Sequence, residues 1–192
     1  MFMTKPSFLS ASALCGILVL VAPDARADGF FFQLDRTTST TDAVVAGTRG
    51  AFSFGLNRAD YDGGWSAGAF VSRDFVLDGV GTLKVGPSIG TSDGDAGVDW
   101  GARVVAERYQ PTDFGFVFVS AQYDTIDSSW FSVAEFGGTD GLSISVTAGG
   151  SDTYSDQTVS LNRKVGDGPF TVRTGYRFES EALFVGLSVN TY

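Results

Sequence analysis

Few residues in this chain could do chemistry, and their types narrow the options. There is no histidine, and the one cysteine, Cys15, lies in an apolar run near the N-terminus. Beyond residue 27 the only lysines are Lys84 and Lys164, and neither has a serine at a recognisable motif spacing. General-base, triad and thiolate chemistry each need one of these groups. Zinc needs nitrogen or sulfur ligands. Neither an enzyme nor a cofactor is therefore expected. The segment Asp93-Gly94-Asp95-Ala96-Gly97-Val98-Asp99 is the best metal candidate, because Asp93, Asp95 and Asp99 offer oxygen ligands around glycines, as Ca²⁺ prefers. It lacks the bidentate Glu that completes an EF-hand loop. A solvated hairpin turn accounts for it more simply, and Asp60, Asp62 and the pair Asp152/Asp156 read the same way.

The cations are more informative. Arg49, Lys84, Arg103, Lys164, Arg173 and Arg177, with the acid Glu107, fall opposite the oily side of the alternating runs that carry them. If those runs are strands, period two sends all seven to one face. A lumen lined by such cations favours small anions. The competing arrangement is a closed interior in which Arg103, Arg173 and Arg177 pair with Glu107, Glu135 and Glu179.

The elements that must position these residues are strands. After the apolar run Phe8–Ala22, preceded by Lys5, comes Ala25-Arg26-Ala27, the small-x-small pattern that signal peptidase reads. Residues 1–27 are thus expected to be a cleavable signal peptide, and 28–192 a single domain without cysteine. Subtracting the signal leaves 21 acidic and 11 basic residues, a net charge of −10, the wrong sign for a nucleic-acid binder. The composition, with 25 Gly, 17 Phe and both Met confined to the signal, favours strands and tight turns over helices.

Strand-like runs occupy 29–38, 43–58, 64–75, 80–90, 97–109, 114–125, 129–137, 141–149, 156–165, 169–179 and 182–192, separated by turns such as Asp60-Tyr61-Asp62-Gly63-Gly64 and Gly166-Asp167-Gly168-Pro169. Alternation is clearest where Leu183, Val185, Leu187 and Val189 oppose Gly186, Ser188 and Asn190. Phe170, Val172, Thr174, Tyr176 and Phe178 oppose Arg173 and Arg177 in the same manner, and Leu142, Ile144 and Val146 oppose Ser143 and Ser145. Trp65, Trp100, Trp130, Phe136, Phe170 and Phe178 lie near run ends, as aromatic girdles do.

Eleven runs conflict with the even strand number of single-chain bacterial barrels. Either 29–38 stands outside the wall, leaving ten, or 43–58 hides a further pairing. Pro87 predicts a bulge or a strand end in 80–90. The run 114–125 is apolar on both faces, which suits a sandwich core or an aromatic plug inside a narrow barrel.

Signal peptide, amphipathic hairpins and an aromatic C-terminal residue, Tyr192, together resemble small outer-membrane β-barrel proteins of Gram-negative bacteria. The resemblance spans the whole mature region and is architectural. It implies an all-β, antiparallel transmembrane barrel of about 10–12 strands with short turns. It further implies residence in the outer membrane, contact with its lipid and lipopolysaccharide, and handling by the barrel-assembly machinery, which reads the terminal aromatic. Tyr192 is out of phase with Leu183–Val189, and a terminal bulge would restore the phase. The function expected is a narrow passive channel for small solutes, anions favoured, or a closed-lumen structural or surface protein. The alternative is a secreted or periplasmic all-β binding domain, adhesin-like, with acidic Ca²⁺-contacting loops.

Overall fold

The structure is a computed structural model and describes residues 28–94 and 97–192. The expected signal peptide, Cys15 and Asp95 lie outside the described residues. Twelve strands follow one another: β1 (Gly29–Arg36), β2 (Thr41–Arg49), β3 (Phe52–Tyr61), β4 (Gly64–Leu77), β5 (Gly81–Ser92), β6 (Asp99–Thr112), β7 (Gly115–Asp124), β8 (Trp130–Gly138), β9 (Leu142–Gly150), β10 (Ser155–Lys164), β11 (Phe170–Arg177) and β12 (Ala182–Asn190). A 3-10 turn at Ile126–Ser128 sits between β7 and β8. Each strand pairs antiparallel with its sequence neighbours, and β1 pairs with β12, so the sheet closes as one barrel.

The run 29–38 is therefore a wall strand, and the missing twelfth strand comes from splitting 43–58. Gly50 and Ala51 turn the chain between β2 and β3, with Gly50 in the left-handed region at φ 57°. That conformation costs a glycine nothing and other residues a good deal. The turn also changes parity, so outward positions are odd on β2 and even on β3.

Register fixes which way each side chain points. Phe54, Leu56, Val71, Val104, Ile144, Val146, Val172, Leu183 and Val185 face outward and stay exposed, Leu183 at 74%. The inward side holds buried Ser53, Ser72, Ser88, Ser145, Ser160 and Asn162, and among the described residues only Val105 and Phe184 are buried hydrophobics. Such an inside-out distribution excludes the two-sheet soluble sandwich, whose apolar faces would be packed against each other. A continuous apolar belt of this extent requires lipid. Two aromatic girdles bound it. Phe30, Phe52, Phe75, Phe136 and Phe170 face outward at the end that holds both termini, and Trp65, Trp100, Tyr123, Trp130 and Tyr176 do so at the other.

Two further expectations change. Pro87 causes neither a bulge nor a strand end. The β4–β5 register is the same on both sides of it, at Phe70–Ser88 and Arg73–Val85, and only the two rungs between are missing. Proline has no N–H to donate there, while its other edge stays in register with Ala102. Tyr192 is not brought back into phase by a bulge. It follows the end of β12 and turns its ring over Gly29, where a side chain would collide with it, and its hydroxyl lies 3.1 Å from Thr48 Oγ1.

Candidate functional site: the barrel lumen

Of the seven residues expected to line the lumen, six sit on the inward phase. Lys84, Arg103 and Glu107 come from β5 and β6, Lys164 from β10, and Arg173 and Arg177 from β11. Lys164 is the last residue of its strand and is exposed at the termini-side mouth. Arg49 is a correction. It pairs with Phe52 on the outward phase and lies at the rim, because the Gly50 turn ends β2 there.

The inward cations do not stand alone. Arg173 Nε donates to Asp35 Oδ1 at 3.1 Å, reaching from β11 over β12 to β1. Gly186 makes that reach possible, since a Cβ there would occupy the place of the Asp35 carboxylate. Arg177 donates to Asp42 and to Thr40 Oγ1, and its guanidinium lies 5.7 Å from the Phe184 ring. Lys84 Nζ meets Glu107 Oε1 at 2.7 Å. Arg103 donates to Gln122 and stacks 3.9 Å from the centre of Phe70. Partners expected at Glu135 and Glu179 are replaced by Asp35 and Asp42. Closure of β1 onto β12, invisible in any local pattern, brings these two acids to β11.

Three arcs of the wall differ in character. The β11–β2 arc carries the Arg173–Asp35 and Arg177–Asp42 pairs. The β3–β7 arc carries Lys84–Glu107 and Arg103 together with Ser88, which donates to Asp124 at 2.8 Å, and Ser53, which donates to Asp74 at 2.7 Å. The β8–β10 arc is a hydroxyl and amide network. Ser145 and Ser160 are 2.6 Å apart, Asn162 Nδ2 donates to Ser143 at 3.2 Å, and Ser143 donates to Glu135. The hydrogen bonds and ion pairs named above join strands no more than three apart around the wall.

Apolar side chains lie at both ends. Phe116 and Phe118 of the doubly apolar run face inward, and Tyr109 stacks on Phe116 with ring centroids 5.5 Å apart. A recess of about 400 Å³ adjoins them, lined in part by Thr82, Glu107, Tyr109 and Phe118. At the other mouth Ile126 folds against Gly90 and Gly101. Tyr154, half-exposed in the loop before β10, has its hydroxyl pKa raised by desolvation first and by Asp156 and Asp42 next, with Arg177 opposing. The acidic loop gathers no metal site among the described residues, where no three potential ligands stand together. Asp93 lies against Gly64, and Asp99 opens β6 exposed.

A closed antiparallel barrel with a lipid-facing belt, two girdles and a polar, charge-paired interior defines a transmembrane β-barrel. Solved structures share the fold. A KdgM porin in complex with disordered oligogalacturonate superposes with a TM-score of 0.59 over 85% of this chain and 99% of that one, at 12% identity. A second KdgM porin structure gives a TM-score of 0.57 with the same coverage and identity. No family model matches the chain, and no curated protein matches it in sequence.

Proposed function

We propose that the protein is a narrow passive channel of the outer membrane for small hydrophilic solutes. One observation carries the reading: the ion pairs and hydrogen bonds named above between inward side chains run around the wall. A barrel whose lumen is filled interlocks its interior across the axis, as eight-stranded barrels can. Here the ion pairs Arg173–Asp35, Arg177–Asp42 and Lys84–Glu107 lie along the wall, and serines and glycines keep the facing positions small. Liposomes carrying the protein should swell in small sugars and progressively less as solute size rises. No difference from protein-free liposomes would refute the channel and leave the barrel a closed structural component.

A second reading, in which anions are favoured, has its own support. Arg173 and Arg177 face the lumen from one strand, and a barrel of this fold is recorded with the acidic saccharide oligogalacturonate. Their carboxylate partners limit the field they can exert on a passing solute.

A further inference from the structure

The charge left on the lumen wall after its ion pairs are matched points away from the arginines. Arg173, Arg177 and Lys84 are each taken up by a carboxylate, Arg103 faces Asp124 directly in the β6–β7 register, and Lys164, the remaining inward cation named above, lies exposed at the termini-side mouth at the end of β10. Glu135 is different. It stands on the inward phase of β8, in register between Phe118 of β7 and Ser145 of β9. Its Oε1 accepts from the Ser143 hydroxyl and, at 3.5 Å, from the Asn162 amide. Among the described residues no cation forms an ion pair with it.

Of these donors Asn162 is itself buried, and it bonds to Ser143 and to the buried Ser160 and Ser145, so the donors to Glu135 are fixed in place. Neutral donors orient and solvate a carboxylate without cancelling its charge. A fixed charge beside a water-filled path with low-dielectric walls acts on every ion that passes.

We infer that Glu135 is a selectivity-setting residue, an uncompensated negative charge that makes the pore favour small cations over anions. The inference rests on the channel reading, and its test separates the two. Wild-type and Glu135→Gln protein are reconstituted in planar bilayers, and reversal potentials are read across a steep KCl gradient at low ionic strength. Wild type is expected to prefer K⁺ to Cl⁻. Glu135→Gln, which keeps an acceptor for Ser143, should lower the permeability ratio at least about twofold, and Glu135→Asp should retain most of the preference. Chloride preference in wild type overturns the inference whether or not any variant folds, and so does an unchanged ratio in Glu135→Gln. Both results leave the channel standing. Absence of conductance in wild type removes the channel and the inference together.

Discussion

Arg173 and Asp35 meet over a glycine, which makes Gly186 as consequential as either charge. Both side chains are nearly buried, so removing one leaves the other charged and poorly solvated. Arg173→Gln is expected to destabilise the barrel by about 3 kcal/mol, the range seen when one partner of a buried pair is deleted. The double change Arg173→Gln with Asp35→Asn should cost clearly less than the sum of the single ones. Urea unfolding in lipid vesicles measures both, and simple additivity would mean the pair is not coupled. Gly186→Val should disrupt the same contact without touching either charge, because its side chain takes the space of the Asp35 carboxylate.

At the scale of strands, the outward phase is defined by lipid and the inward phase by hydrogen bonding. Val146, near the middle of β9 and 48% exposed, faces the belt. Val146→Arg is therefore expected to cost about 2–4 kcal/mol, the penalty of a cation near the bilayer midplane. A cost near zero in the same unfolding assay would place that face in water. Much of this level was legible in the sequence, because period two needs no tertiary knowledge. Leu142, Ile144 and Val146, the Phe170–Tyr176 series and the Leu183–Val189 series all face outward as their alternation predicts, while Phe178 falls past the end of β11.

What was hidden depends on long-range closure or on weak turn chemistry. Gly50-Ala51 lacks the Asn-Gly or Asp-Gly signal of a tight hairpin, so β2 and β3 read as one run whose alternation sends Arg49 to the inward face, whereas it pairs with Phe52 on the outward one. The acids that pair with Arg173 and Arg177 lie more than 130 residues away in sequence. Spacing along one strand carries no trace of them. Phe184, inward and 2% exposed, was likewise masked by the outward series on either side of it.

For the whole molecule, one closed sheet with an apolar exterior has a simple physical signature. The folded protein should remain in the membrane fraction through a carbonate wash and migrate differently on a denaturing gel with and without boiling, since closure leaves no edge from which detergent can unravel it cheaply. Release into the soluble fraction would contradict the lipid-facing belt. The interior poses the sharper question, because the proposed channel needs a wall whose polar groups bond around its circumference and leave the axis to solvent. Single-channel recording of the purified protein in planar bilayers tests that most directly. An open lumen gives discrete, uniform conductance steps on insertion, and insertion of folded, heat-modifiable protein without any steps would contradict it.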